Sequence, residues 1–478
     1  MLLRQTLLYL PAQVIGPVVQ FLSIVLWTYF LDPVEMGTFA LITAAQEFGY
    51  IATMFWFTLY TMRYFDRNAD AHGQAVFMNT EAGVMLAAAV GTALGVVALP
   101  LFIDVAWSPS LAAAALAYCL SRTLATHLTD RARTAQDTLV YTIMQVSWPV
   151  LGLALGVLFV KLFSASAANV LWGYALAQCL ALAGVIGRLG LGSHPHHISA
   201  DIIRTGLRYG MPLVIGGLFV WLANNGLRFI IEHKEGAGAV GLVTVGWGLG
   251  LRAAAFSAML VTAAAFPLAV ARSRENGISE GQAQLVRNGV LLLAILAPAA
   301  GGLWAISGPL VERIVAAPFQ EMTAAVLPWA ILAGAARNLR IHFGEQVFLL
   351  REETRIPLAN DVFDGLSTIV GGAAGLAMGG LPGSVAGAAI GAIASLIVTL
   401  MCGAYLHGFT LPIGHLVRIA TATAAMIAVL HFVPMSATVP SLAAAILTGG
   451  MVYVVALAVV YPGEVGGVLA KFRALRQV

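Results

Sequence analysis

Charged residues are scarce in this chain of 478 residues, because Asp, Glu, Lys and Arg together make up only 10% of it. A soluble domain carries about 25% charged residues, so the composition excludes an ordinary soluble fold. The chain is instead 60% hydrophobic, and long apolar runs recur along its whole length. Runs of this length are typical of membrane-spanning helices. The sequence therefore predicts an all-α polytopic membrane protein.

Cysteine is nearly absent, and the three residues Cys119, Cys179 and Cys402 lie singly in apolar segments. Their spacing indicates neither a disulfide framework nor a metal site. The sequence shows no nucleophile with a matching base and no glycine-rich phosphate loop. We therefore expect no metal, no organic cofactor and no enzymatic activity. The net charge of +3 is too small to indicate a nucleic-acid partner.

Fourteen apolar segments are long enough to cross a bilayer, which takes about 20 apolar residues in a helix. Glycine is abundant, with 50 residues, and small residues allow membrane helices to pack closely. The predicted spans are 7–30, 38–62, 80–103, 109–129, 139–160, 168–188, 207–231, 238–270, 287–307, 324–350, 357–379, 383–406, 415–433 and 440–461.

The distribution of basic residues predicts the orientation. If the N-terminus is cytoplasmic, seventeen of the 25 Lys and Arg residues fall on the cytoplasmic side of the membrane. Only Lys161, Lys234 and Arg313 fall on the outer side, and the remaining five arginines lie inside predicted helices. This bias follows the positive-inside rule. We therefore expect both termini, and the linker at 188–208, in the cytoplasm.

The chain also contains an internal repeat. The segment 208–216 resembles 9–16, and 240–245 resembles 36–41, which gives an offset of about 201–204 residues. Two copies in one orientation predict two six-helix lobes related by an axis along the membrane normal. The expected division is an N-lobe with its linker over 1–203 and a C-lobe over 204–410. Two further helices and a cytoplasmic tail occupy 411–478.

Ionisable side chains inside apolar helices are concentrated between residues 327 and 368. A charge at the centre of a membrane helix costs roughly 2.5–3.5 kcal/mol on insertion scales. Such residues therefore usually face a polar cavity or a partner. The members are Arg337, Arg340 and Glu345 on one predicted helix, and Asn360, Asp361, Asp364 and Thr368 on the next.

Other charges fall at matching places in the two repeats. Arg122 and Arg337 each lie about 13 residues into equivalent predicted helices, counted from the outer side. Glu47 and Arg252 differ by 205 positions, close to the repeat offset. Matching sites near an axis converge, so we expect a central cavity with more arginines than carboxylates. The arginines are Arg122, Arg252, Arg337 and Arg340, and the carboxylates are Glu47 and Glu345.

The segment 31–44, LDPVEMGTFALITA, follows a first helix interrupted by prolines. It resembles the start of bacterial polysaccharide-lipid flippases of the O-antigen and exopolysaccharide type, where L-G-P-x-x-x-G-x-Y/F-A-L is typical. Asp32 replaces the first glycine of that pattern. These flippases share a superfamily of multidrug, oligosaccharidyl-lipid and polysaccharide exporters with the multidrug antiporters and the lipid II flippases.

The resemblance implies a V-shaped, two-lobe transporter of the bacterial inner membrane. Its substrate would be a polyprenyl-pyrophosphate-linked oligosaccharide, moved from the cytoplasmic to the outer leaflet. Its partners would be this lipid-linked oligosaccharide, the membrane lipids, and the polymerase and glycosyltransferases of the same pathway.

The buried charges have two interpretations under this resemblance. They either line the cavity and bind the substrate, or form structural ion pairs such as Glu345 with Arg340 and Glu47 with Arg252. Arginine suits a pyrophosphate because its planar fork donates paired, charge-assisted hydrogen bonds. The residues predicted to bind substrate are Arg122, Arg252, Arg337, Arg340 and Glu47.

The spacing Asn360-x-x-x-Asp364 is similar to a pair in lipid II flippases that contributes to a sodium site. The resemblance implies coupling to Na⁺ or H⁺ here, since oxygen atoms one helical turn apart suit a hard cation. Alternatively, Asp361 and Asp364 are first-turn acids favoured by the helix dipole and paired with Arg351 or Arg355. The residues predicted for coupling are Asn360, Asp361, Asp364 and Thr368.

Two other functions compete with the flippase. A cation-coupled multidrug antiporter of the same superfamily needs an acidic pocket, whereas the predicted cavity is basic. A membrane enzyme of polysaccharide assembly usually carries a sizeable outer loop with catalytic residues, whereas the predicted outer loops are short and nearly uncharged. His127 lies near the cytoplasmic end of its predicted helix, and we expect it at the membrane interface.

Overall fold

The computed structural model describes residues 2–66, 70–190 and 198–462. Every regular element within these residues is a helix, which confirms the predicted all-α class. Eight of the described helices are long and apolar enough to cross a membrane. Residues 191–197 of the predicted linker and the predicted tail after residue 462 lie outside the described residues.

The helices follow one another through short connections. A 3₁₀ turn at Leu99–Leu101 extends α4, and a π-helical turn at Arg340–Gly344 separates α11 from α12. The helices are α1 Leu2–Thr28, α2 Pro33–Thr53, α3 Phe55–Tyr64, α4 Ala71–Ala98, α5 Pro109–Thr134, α6 Thr138–Leu162, α7 Ala167–Leu189, α8 Ala200–Asn276, α9 Ile278–Ala305, α10 Ser307–Ile314, α11 Ala317–Leu339, α12 Gln346–Leu350, α13 Arg355–His407, α14 Ile413–Phe432 and α15 Val439–Val460.

Each predicted span overlaps a helix, but α8 and α13 each contain two predicted spans. The helical path breaks at Gly236 in α8, and at Gly379 and Gly380 in α13. Gly236 has a φ of 81° and Gly380 a φ of 61°, and glycine adopts positive φ without steric cost. Glycine kinks therefore take the place of loops between these consecutive spans.

The predicted span 38–62 is wrong as a single helix. It is divided at Met54 into α2 and α3, and α2 begins earlier, at Pro33. The Asp32 carboxylate accepts a hydrogen bond from the Glu35 backbone amide at 2.9 Å, so Asp32 is the N-cap of α2. Aspartate at the N-cap followed by proline is a strong helix start. The aspartate that departs from the flippase pattern thus has a local structural role.

The chain divides into two compact units, and the first is Met1–Val245. Within it, α2 packs very closely against the part of α8 that follows the kink. A Cβ atom at Gly37 would collide with the backbone carbonyl of Ala237, and one at Gly241 would collide with that of Pro33. Small residues at these positions allow the two backbones to touch, as in other membrane helix pairs.

The second unit is Gly246–Val478. The two halves of α13 form a hairpin in which Gly371 lies against the backbone of Gly387. The C-terminal helices α14 and α15 pack on each other and on α9, where the Tyr453 hydroxyl donates a 2.7 Å hydrogen bond to the Ala294 carbonyl. The units divide inside α8, whereas the sequence repeat begins near residue 204, and the predicted lobe boundary stays a prediction.

Candidate functional site

The most charged site in the second unit is built by α11, the π-helical turn and the start of α13. Residues five apart lie about 140° from each other around an α-helix. Here the Glu345 amide donates to the Arg340 carbonyl at 2.8 Å, the i to i+5 bond of a π turn. The extra residue in this turn places the Arg340 and Glu345 side chains on one side, where they form an ion pair.

The facing side of α13 carries a polar stripe. Asn360, Asp364 and Thr368 are spaced four residues apart, and all three are buried. Side chains at this spacing lie on one face of a helix. The stripe therefore brings an amide, a carboxylate and a hydroxyl toward the neighbouring helix α11, with which α13 packs.

Arg337 binds two members of this stripe. Its Nε donates to Asp364 Oδ2 at 3.2 Å, and its Nη2 donates to Thr368 Oγ1 at 2.9 Å. The guanidinium also lies 5.7 Å from the ring centroid of Trp247, in α8 of the same unit. Arg337 is only 6% exposed and Asp364 only 2%. The arginine is thus held by a carboxylate, a hydroxyl and an aromatic face.

Arg340 connects the remaining acids. It pairs with Glu345 through Nη1, and its Nη2 lies 3.0 Å from Asp361 Oδ1 and 3.5 Å from Asp364 Oδ2. We call Arg337, Arg340, Glu345, Asp361 and Asp364 the arginine–acid cluster. Its two arginines and three carboxylates carry a formal charge of −1. A buried pair of this kind contributes little net stability, but removal of one partner costs about 3–5 kcal/mol.

The cluster brings together residues that the sequence assigns to two different roles. Arg337 and Arg340, predicted to bind substrate, contact Asp361, Asp364 and Thr368, predicted for cation coupling. The predicted Arg340–Glu345 pair is present. The acids pair with these arginines rather than with Arg351 or Arg355, so the alternative partners named from the sequence are wrong.

Two donors of this region have no hydrogen-bond partner within the described residues. They are Arg340 Nε and Asn360 Nδ2, on side chains that are 1% and 4% exposed. A buried donor without an acceptor costs about 1–3 kcal/mol. The site can therefore accept further oxygen atoms, from water or from a ligand.

The remaining predicted substrate residues lie in different surroundings. Arg252 lies half-buried in α8 of the second unit. In the first unit, the Arg122 guanidinium lies 3.9 Å from the ring centroid of Trp148. Glu47, in the same unit, is exposed and accepts a 3.0 Å hydrogen bond from Asn225 Nδ2.

His127, which the sequence predicts at the membrane interface, is fully buried in the first unit. Its Nε2 lies 2.9 Å from Glu81 Oε1, and its Nδ1 lies 3.0 Å from Thr58 Oγ1. Arg131 also pairs with Glu81 and donates to the carbonyl at the end of α7. The spacing of His127 and Arg131, one turn apart on α5, is a sequence signal that could have indicated a shared partner.

Within the described ranges, no group of three or more His, Cys, Asp or Glu side chains is placed to hold a metal ion. The three cysteines are free.

The first part of the chain matches a known family. A family model described as "Polysaccharide biosynthesis protein" matches residues 2–271. A search of curated protein sequences gives no match.

Among solved structures, the lipid II flippase MurJ in an inward closed conformation superposes with a TM-score of 0.76 at 13% identity, covering 96% of this chain and 100% of that chain. An outward-facing multidrug resistance MATE transporter of the MOP superfamily gives a TM-score of 0.55 at 16% identity, covering 84% of this chain and 95% of that chain. An inward-facing MATE transporter gives 0.54 at 16% identity, covering 84% and 94%. At such low sequence identity, these TM-scores show a shared fold.

Proposed function

Because this chain belongs to the family of polysaccharide biosynthesis proteins, we propose that it is a flippase for a polyprenyl-pyrophosphate-linked oligosaccharide. It would carry the lipid-linked sugar from the inner to the outer leaflet of the bacterial inner membrane. The observation that carries this proposal is the family match over more than half of the chain, together with the fold shared with a lipid II flippase over 96% of it. We propose that both termini are cytoplasmic, that the chain transports and does not catalyse, and that it works beside the polymerase and glycosyltransferases of its pathway.

The chemistry of the arginine–acid cluster suits an anionic substrate whose binding displaces a carboxylate. We propose that the pyrophosphate displaces the carboxylates that pair with Arg337 and Arg340 and binds these two guanidinium groups in their place. Arginine donates paired hydrogen bonds to phosphate oxygens, so the exchange replaces one charge-assisted contact with another. Arg252 in the second unit and Arg122 and Glu47 in the first are proposed as further substrate contacts.

The displacement of the carboxylates by pyrophosphate also gives a physical route to cation coupling. A carboxylate left without its arginine in a buried site is costly, so Asp364 must then gain a proton or a metal cation. We propose that Na⁺ or H⁺ takes the place of the Arg337 guanidinium at Asp364, with Thr368, Asn360 and Asp361 nearby. Substrate and coupling ion would then bind together, because each relieves the unpaired charge that the other creates.

A transport assay tests the proposed function. The purified protein is reconstituted in liposomes with a fluorescent polyprenyl-pyrophosphate oligosaccharide, and the outer-leaflet fraction is measured with an impermeant quencher. We expect translocation that is absent from protein-free liposomes and from liposomes with an unrelated membrane protein. Absence of translocation under all ion gradients contradicts the proposal.

The second candidate is a cation-coupled multidrug antiporter. The observations that favour it are the net −1 charge of the arginine–acid cluster and the fold shared with MATE transporters. One preparation distinguishes the two functions, because the same liposomes can also be loaded with a cationic dye. Proton-driven or sodium-driven dye movement without lipid translocation favours the antiporter.

A further inference from the structure

A groove of about 430 Å³ lies within the first unit, between α2, α4, α5 and the part of α8 before its kink. It belongs neither to the arginine–acid cluster nor to the His127 site. Its walls combine glycines of α2 and α4 with aromatic rings of α2 and α8. The wall residues that matter below are Phe48, Gly49, Gly95, Cys119, Trp221 and Phe229.

The groove is apolar because the polar groups of its wall are mostly bonded elsewhere. Trp221 Nε1 donates to the Ala44 carbonyl at 2.9 Å, and Gln46 Nε2 donates to Thr123 Oγ1 at 3.3 Å. The Thr53 hydroxyl donates to the Gly49 carbonyl in its own helix at 2.7 Å. Thr92 Oγ1 has no partner within the described residues and is a single buried hydroxyl. A ligand of this groove is therefore a hydrocarbon.

Glycine and aromatic residues give the groove an uneven shape. A Cβ atom at Gly49 or Gly95 would meet no other atom within 4 Å, so each glycine leaves a recess. The rings of Phe48 and Trp221 lie 5.0 Å apart, and those of Trp221 and Phe229 lie 5.6 Å apart, which forms a continuous aromatic wall. A chain with methyl branches fills such recesses better than a straight acyl chain, because packing favours shapes without voids.

A cation lies about one helical turn along α5 from the wall of the groove. Arg122 follows the wall residue Cys119 by one turn of α5, and its guanidinium stacks on Trp148 at 3.9 Å. The salt bridges of the described residues do not include Arg122. A molecule with an anionic head and a branched hydrocarbon tail therefore matches both the arginine and the groove.

We infer that this groove binds the isoprenoid chain of the lipid-linked substrate while Arg122 contacts its pyrophosphate. The inference rests on the proposed function, because it takes a polyprenyl-linked sugar as the substrate. The groove would hold the tail beside the path of the polar head, so that the hydrocarbon never crosses a polar surface.

Photocrosslinking tests this assignment in the full-length protein in lipid nanodiscs. The probe is undecaprenyl phosphate with a diazirine in its terminal isoprene unit, and labelled peptides are identified by mass spectrometry. We expect labelling of the α8 peptide that contains Trp221 and Phe229, with competition by unlabelled undecaprenyl phosphate. A phosphatidylglycerol with a diazirine at the end of an acyl chain is the parallel probe.

The matched variants are Gly95→Leu, which fills a recess of the groove, and Gly184→Leu, on an exposed face of α7 in the same unit. A Cβ atom at Gly184, like one at Gly95, would meet no other atom within 4 Å, so neither substitution causes a collision at Cβ. We expect Gly95→Leu to lower prenyl labelling about tenfold, equivalent to roughly 1.4 kcal/mol of binding. Gly184→Leu is expected to label like the unmodified protein.

Each other outcome overturns the inference. An isoprenoid site is contradicted if both variants are labelled equally, or if the α8 peptide is not labelled. It is also contradicted if the phospholipid probe labels the groove and undecaprenyl phosphate does not displace it. The liposome assay separates this result from the proposed function. Translocation by a protein with no prenyl labelling rejects only the groove. Labelling without translocation rejects the flippase, and with it the transport role of the groove, but not the binding of a prenyl chain.

Discussion

At the scale of single residues, Arg337 illustrates why a buried charge has a structural and a functional consequence at once. It binds Asp364 and Thr368, so its loss leaves the buried Asp364 carboxylate with only the longer 3.5 Å contact to Arg340. The same guanidinium is the group that we propose to bind pyrophosphate. A single substitution therefore cannot separate the two effects, and a paired substitution is needed.

We expect Arg337→Ala to destabilise the protein by about 3–5 kcal/mol, the cost of removing one partner of a buried ion pair. The double variant Arg337→Met with Asp364→Asn removes both charges, so it should recover membrane abundance while translocation stays lost. Arg337→Lys should retain part of the translocation, because it keeps the charge but not the paired donors. Fluorescence-detected chromatography measures abundance, and the liposome assay measures translocation. Full translocation by the double variant would contradict the role of Arg337 in substrate binding.

Asp364 provides a separate prediction about the coupling ion. If Na⁺ replaces Arg337 at this carboxylate, Asp364→Asn should abolish any sodium dependence of translocation. Asp130→Asn is a control, because Asp130 forms a more exposed pair with Arg133 at 3.1 Å. Translocation is measured in sodium and in choline buffers at fixed pH, and then across a pH gradient. A sodium dependence that survives in Asp364→Asn would remove this carboxylate from the coupling mechanism.

Sequence reasoning selects the members of the arginine–acid cluster but not their pairing. Charges inside apolar helices are costly, so Arg337, Arg340 and Glu345 stand out in the sequence alone. Their partners depend on the π turn at 340–344, which has no recognised sequence signal. This turn changes the direction in which the side chains that follow it in the same helical segment point. The partner of His127 cannot be predicted from the sequence for a similar reason, because Glu81 is 46 residues away on another helix.

At the scale of the helices, glycines decide where the chain bends. Gly236 combines a φ of 81° with a ψ of 173°, a region that is essentially restricted to glycine. The sequence repeat predicts a boundary close to this point, since 36–41 and 240–245 each follow a break. The repeat does not reveal that the second break is a kink within α8, because hydrophobic periodicity continues on both sides.

We expect Gly236→Ala to lower stability by about 1–3 kcal/mol, the cost of holding a non-glycine residue in this conformation. Crowding is not the cause, because a Cβ atom at Gly236 would meet nothing within 4 Å. Gly238→Ala is the matched control, since its Cβ would lie at an ordinary 3.4 Å from Val34 Cγ2. Thermal unfolding in detergent compares the two. Equal melting temperatures would show that the chain does not need the kink at Gly236.

At the scale of the whole molecule, composition and the long apolar runs predict the class, because a helix of about 20 apolar residues crosses the bilayer with its backbone hydrogen bonds satisfied. The all-α class is accordingly confirmed, and each predicted span overlaps a helix, although the span 38–62 is divided at Met54. The boundary between the lobes is harder to predict from the sequence. The compact units divide inside α8, and that division depends on contacts between residues distant in the chain. The rotation that relates the two repeats stays a prediction, as does the side of the membrane that each loop faces.

Orientation can be tested on α8 alone. Ala200 and Glu235 are exposed and lie at the two ends of its first part. The two residues are 35 positions apart, so at 1.5 Å per residue they are separated by about 53 Å of helix, more than the hydrocarbon core of about 30 Å. The excess of basic residues predicts that Ala200 lies in the cytoplasm and Glu235 outside. Single cysteines are introduced at these positions after Cys119, Cys179 and Cys402 are replaced by serine. In intact spheroplasts, an impermeant maleimide should label the cysteine at 235 and reach the one at 200 only after lysis. Labelling of both positions from outside would contradict the membrane crossing, and the reverse pattern would place both termini outside the cytoplasm.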